Sequence, residues 1–111
     1  FDFTYNRKLT PEELKNTEQL VNEAVRQDLK MEYKEMPFQE AIATGALYSP
    51  REKYPAQVKV YSAWNPQTKE VFSRELCGGP HVIHTGEVGK VKIVKEEGVS
   101  AGARRIRAVL E

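Results

Sequence analysis

Apolar and polar residues alternate from the first position, with Phe1, Phe3 and Tyr5 set against Asp2, Thr4 and Asn6. A period of two puts every second side chain on one face, so this segment reads as a half-buried strand. From Leu9 the period lengthens. Leu14, Leu20, Val21, Ala24, Val25 and Leu29 trace one face of a helix. Thr10 is placed to cap its start, Pro11 suits the first helical position, and Glu13 completes a capping box. Alternation returns in "MEYKEMP", a short strand with Met31, Tyr33 and Glu35 on one side. "PFQEAIATG" reads as a short helix that Pro37 opens and Gly45 stops. "ALYSPREKYPAQ", with two prolines and mixed charge, reads as an irregular loop. "VKVYSAW" and "KEVFSREL" are strands joined by the turn "NPQT". "EVGKVKIVKEE" alternates again, "GVSAGA" is a glycine-bearing connection, and "RRIRAVL" is a last strand.

These elements predict an α+β fold: a mostly antiparallel sheet with one long and one short helix packed against it. At 111 residues the chain is one domain's worth, residues 1–111 forming a single core. Its 40% hydrophobic and 30% charged residues fit a soluble globular protein and exclude a disordered one. Charge then narrows the partners. Seventeen basic residues against 16 acidic leave a net +1, so any polyanion site must come from local clustering. One cysteine excludes an internal disulfide and suits a reducing cytoplasm. No apolar run reaches membrane-spanning length and no signal peptide is visible, so no membrane partner is expected. The opening on a strand, with no methionine, predicts a chain cut inside or at the edge of a larger fold.

The chemistry concentrates in "ELCGGPHVIHTGE", which holds the single thiol and both histidines of the chain. Cys77 and His81 are four apart, and His84 follows. Thiolate and imidazole are preferred zinc ligands, but zinc takes four ligands, or three and a water. Gly78 and Gly79 let the backbone turn so that both side chains can face one point. The same pair also fits a Cys/His nucleophile arrangement, or a structural cysteine beside two surface histidines. A second cluster is Arg104, Arg105 and Arg107, with Lys90, Lys92 and Lys95 on the preceding strand. It reads either as a phosphate-binding patch or as a solvated face balanced by Glu96, Glu97 and Glu111. Alternation puts Arg105 and Arg107 on one face and Arg104 on the other.

The stretches "FDFTYNRKLTPEEL", "GALYSPREKYP" and "ELCGGPHVIHTGEVGKVKIVKEEGVSAGARRIRAVLE" together resemble the editing (second additional) domain of alanyl-tRNA synthetase. The chain is also similar to freestanding alanyl-tRNA editing proteins and, more distantly, to the editing domain of threonyl-tRNA synthetase. The resemblance covers essentially the whole chain, in order. It implies hydrolysis of tRNA for alanine mischarged with serine or glycine, at a zinc held by an upstream His-x-x-x-His pair and a downstream cysteine and histidine. By motif match the downstream ligands are Cys77 and His81. Arg104, Arg105 and Arg107 are expected tRNA contacts, with the acceptor end of tRNA(Ala) as partner. No His-x-x-x-His occurs in this sequence, so the chain is expected to be the C-terminal part of the domain, inactive alone and holding zinc weakly. Pro80 stands where the alanyl pattern carries threonine and the threonyl pattern proline, whereas "SAGARRIRAV" follows the alanyl pattern. A whole synthetase would join alanine to tRNA with ATP and magnesium in another domain. The remaining alternatives are a tRNA-binding or structural module without catalysis, or a fragment of a freestanding alanyl-tRNA editing hydrolase.

Overall fold

The computed structural model describes residues 1–50 and 52–111. Arg51, which falls in the loop expected at "ALYSPREKYPAQ", lies outside the described residues. The α+β class read from the sequence holds, with the strands in two antiparallel sheets of three. The chain divides into two compact units, Phe1–Arg26 with Val88–Glu111, and Gln27–Glu87.

In the first unit, β1 (Asp2–Thr4), β6 (Ala103–Leu110) and β5 (Val91–Ser100) form a sheet in the order β1-β6-β5. β5 runs through the glycine-bearing stretch expected to be a connection, because Gly98 and Ser100 pair with Arg104 and Ala103. The turn shrinks to Ala101–Gly102, and Gly102 takes a φ of +74°. Helix α1 (Pro11–Arg26) packs against β5. Its start is a full capping box: the Glu13 N–H donates to Thr10 Oγ1 at 3.1 Å, and the Thr10 N–H donates to Glu13 Oε1 at 2.9 Å.

The face α1 turns inward keeps Leu14, Ala24 and Val25 of the apolar stripe but leaves out Leu20 and Val21. Leu20 and Val21 are exposed, while Leu14, Glu18, Asn22 and Val25 are covered or half-covered. β5 has β6 on one side only, so its other edge needs partners. Asn22 supplies them at Val91, its amide accepting the N–H and donating to the C=O, each at 2.8 Å. Glu18 accepts the Ile93 N–H at 2.8 Å. Edge pairing by polar side chains thus outweighed the burial of Leu20.

In the second unit, β2 (Lys30–Pro37), β3 (Gln57–Trp64) and β4 (Val71–Leu76) form an antiparallel sheet in chain order. α2 (Phe38–Ala43) follows β2 directly and ends at Gly45, whose φ is +83°. Ala41, Ala46, Val58, Val60 and Leu76 make the core, with Met36, Phe38 and Tyr54 packed against it. The β3–β4 turn is longer than "NPQT". Asn65 Oδ1 accepts the Gln67 N–H, and the Asn65 carbonyl accepts the Lys69 N–H at 2.7 Å. Lys69 sits at a φ of +68°, which delays β4 to Val71. Among the described residues no helix is long and apolar enough to cross a membrane.

Candidate functional site

Cys77 follows the last residue of β4, and its N–H extends the ladder to the Lys59 carbonyl at 3.2 Å. Strand register puts Tyr61 opposite Glu75, and alternation carries Cys77 onto the same face. The thiol is half-buried and unbridged, in a cleft of 360 Å³ lined also by Glu35, Tyr54, Gln57 and Lys59.

The chain then turns through Gly78, Gly79 and Pro80 and returns His81 to the sheet. The His81 ring stacks on Tyr61 with centroids 4.0 Å apart. Tyr61 in turn meets Tyr33 at 5.2 Å, and the Lys59 ammonium lies 4.9 Å over the Tyr33 ring. His81 therefore sits on an aromatic floor and is held by its ring face, which leaves the edge nitrogens for other work. Tyr61 is a site residue the sequence reading did not single out. Its signal was the period of β3, which places Lys59, Tyr61 and Ala63 on one face.

His84 is placed differently. Its Nδ1–H donates to Asp28 Oδ1, and its Nε2 faces Glu87 Oε1 at 3.2 Å. The Asp28 carboxylate, and to a lesser degree Glu87, raise the His84 pKa above its ordinary 6.5. The hydrogen bond from His84 and the Gly86 N–H lower that of Asp28. Around this pair the loop is laced to residues 28–31. The Leu29 N–H donates to Thr85 Oγ1 at 2.7 Å, the Thr85 N–H to the Leu29 carbonyl at 2.8 Å, and the Met31 N–H to the Ile83 carbonyl at 2.9 Å. Leu29, 1% exposed, is locked beneath. Gly86 is required because a Cβ there would overlap the Asp28 carboxylate. The "TGE" motif thus acts as a latch that fixes the loop leaving His81. Asp28, 56 residues away, gave no local sign of this role.

A zinc ion takes four donors, or three and a water. Cys77 and His81 carry the right atoms on one sheet face, but among the described residues no three His, Cys, Asp or Glu side chains gather where they could hold a metal. Both ring nitrogens of His84 face carboxylates. Two donors do not make a zinc site on their own.

The three arginines of β6 all carry carboxylate partners. Arg104 grips Glu96 through Nε and Nη2 at 2.7 and 2.8 Å, and the Glu96 side chain is 2% exposed. Gly98, opposite Arg104 in the ladder, leaves the guanidinium room to cross: a Cβ there would stand 2.9 Å from its Nη1. The same Glu96 accepts the Leu9 N–H at 3.2 Å, tying the entry of α1 to the sheet. Arg105 holds Asp2 at 2.7 and 3.0 Å, and Arg107 holds Glu97 at 3.0 Å. Lys95 shares Glu97, and Lys90 and Lys92 share Glu111.

The comparisons with known proteins bear on what this arrangement belongs to. Residues 58–107 match the threonyl and alanyl tRNA synthetase second additional domain. Over its whole length the chain is 46% identical to an alanine–tRNA ligase of Treponema pallidum and 47% identical to that of Treponema denticola. Over 98% of its length it is 47% identical to that of Caulobacter vibrioides. It spans only 17%, 18% and 13% of these relatives respectively. The matched domain runs from β3 through the Cys77–His81 turn and the latch to Arg107 of β6, and the chain belongs to the threonyl and alanyl tRNA synthetase second additional domain family, with alanine–tRNA ligases as its relatives.

Proposed function

We propose that this chain is part of an alanyl-tRNA synthetase and serves the hydrolysis of tRNA(Ala) mischarged with serine or glycine. The observation that carries the reading is the Cys77–His81 turn. It presents a thiol and an imidazole on one face of the second unit's sheet, the imidazole set on Tyr61 and the loop beyond it latched by Asp28. In this reading Cys77 and His81 are two ligands of a zinc whose other ligands come from outside this chain. Zinc so bound supplies Lewis-acid or orienting chemistry for the ester linking amino acid to ribose. The chain's own contribution is positional: the β4 ladder sets the thiol, Tyr61 sets the imidazole plane, and the latch keeps the loop from swinging away.

The acceptor end of tRNA(Ala) is the partner. Arg105 and Arg107, the more exposed arginines, would exchange carboxylates for phosphates, whereas Arg104 is committed to Glu96. Ligation of alanine to tRNA, with ATP and magnesium, would belong to other parts of the longer protein, working in the cytoplasm. The half-complete donor set favours one second reading, a tRNA-binding module without catalysis.

Deacylation of Ser-tRNA(Ala) by the longer protein separates the two. Under the editing reading, Cys77→Ala and His81→Ala abolish deacylation while tRNA binding stays within a factor of about two. Full deacylation by either variant overturns the assignment, and a longer protein that binds tRNA but never deacylates it favours the module.

A further inference from the structure

The other face of the second unit's sheet carries a feature that the Cys77–His81 site does not use. A cleft of 500 Å³ opens between β2, β3 and β4, floored by Met36, Val60 and Trp64. These are the side chains that alternate away from Tyr33 and Tyr61, so the cleft and the His81 turn lie on opposite faces.

Its rim is cationic. Lys34, Lys69 and Arg74 line it, with Glu32 as the one carboxylate, and Glu32 faces Lys30 at 3.7 Å. The arginines of β6 each hold a carboxylate. Among the described residues Arg74 meets only Ser62 Oγ at 3.4 Å and the Thr44 carbonyl at 3.3 Å, both long contacts to neutral oxygens. Trp64 gathers two ammonium groups, Lys69 of the rim and Lys30, which lie 5.3 and 5.5 Å from its ring centroid. Its own Nε1–H is buried without a hydrogen-bond partner among the described residues. A guanidinium without a carboxylate and lysines concentrated on an aromatic ring are together complementary to an anion. The apolar floor is complementary to a sugar or base.

We infer that this cleft binds the sugar-phosphate backbone of single-stranded RNA, with Lys34, Lys69 and Arg74 on the phosphates and the apolar floor beneath the sugar or base. This rests on the reading that RNA is the partner of the chain, and adds a contact surface on the sheet face away from Cys77 and His81. The three cations stand on β2, on the β3–β4 turn and on β4, so they can meet successive phosphates rather than one. Each single-strand phosphate neutralised releases about 0.7 counterion, so one contact is worth roughly eightfold in affinity at about 50 mM salt.

Trp64 is the only tryptophan of the chain, so the test has a built-in reporter. A single-stranded RNA oligonucleotide is titrated into the full chain, following anisotropy of the labelled RNA and Trp64 emission at several salt concentrations. Lys34→Gln and Arg74→Gln are each expected to weaken binding roughly eightfold and to flatten the slope of log K against log salt by about 0.7. Arg74→Lys recovers part of the loss, Trp64 emission changes on saturation, and circular dichroism confirms that the variants fold. If the native chain binds RNA but the folded variants match its affinity and slope, the cleft is not the site, while RNA as partner stands. If the native chain binds no RNA, both fail. Binding of polyglutamate that is tighter than RNA and carries the same variant losses would assign the cleft to an acidic protein and overturn the proposal.

Discussion

Replacing Asn22 by alanine tests how α1 is held to its sheet. The amide of Asn22 makes two hydrogen bonds to Val91, both 2.8 Å long, at an edge of β5 that lacks a neighbouring strand. Each such bond contributes about 0.5–1.5 kcal/mol net, and truncation leaves a half-buried N–H and C=O without their partner. The loss should be about 2 kcal/mol, or a Tm drop of roughly 10 °C for a domain of this size. Urea unfolding gives the free energy, and amide exchange at Val91 and Ile93 reports the edge locally. Leu20→Ala, at a side chain 58% exposed, should stay within about 0.5 kcal/mol. An Asn22→Ala variant as stable as the native chain, with Leu20→Ala the larger loss, would show that the apolar stripe holds the helix and the polar edge contacts do not.

Three further expectations follow from local geometry. Thr10→Ala removes one arm of the capping box and should cost about 1 kcal/mol, measured by urea unfolding. Gly86→Ala forces a methyl into the Asp28 carboxylate, so it should break the latch; the signature is loss of the His84–Asp28 coupling in histidine NMR titrations and faster exchange at Thr85. The His84–Asp28 pair should also mark the pH profile of stability. Because the folded His84 pKa lies above 6.5, its contribution is complete below 6.5 and fades as pH rises through the folded value. Because the folded Asp28 pKa lies below 3.8, its contribution is complete above 3.8 and fades as pH falls through the lowered value. The native chain minus His84→Gln should therefore show a stability difference that peaks between those limits; a difference that grows above pH 8 would refute the pairing.

Local grammar was legible in the sequence where the cause was local. The capping box of Thr10 and Glu13 and the stop at Gly45 depend on neighbours within four residues, and both form as read. On α1 the reading held for Leu14, Ala24 and Val25 but not for Leu20 and Val21, because apolar periodicity weighs Leu20 above Asn22 and nothing near Asn22 announces an unpaired edge 69 residues away. The division of the strands into two sheets likewise depends on pairing of β1 with β6, more than 100 residues apart in sequence. Within the candidate site the Cys77–His81 spacing was visible, but its supports were not. Tyr61 and Asp28 act through a ring stack and a loop latch that only the folded chain brings together. In the basic run at Arg104–Arg107 the split into two faces and the balancing role of Glu96 and Glu97 were legible, but Asp2, the partner of Arg105 from 103 residues away, was not. Among the described residues Lys34 and Arg74 are cations without a carboxylate partner, at positions where the sequence carries no basic run.

The central claim, that Cys77 and His81 act together as half of a metal site, is tested most directly by zinc content of the longer protein. Native protein, Cys77→Ala and His81→Ala are purified in parallel, and bound zinc is counted per chain by atomic emission. The account predicts one zinc in the native protein and near-complete loss in each variant, with tRNA binding retained. One zinc per chain in either variant would contradict it.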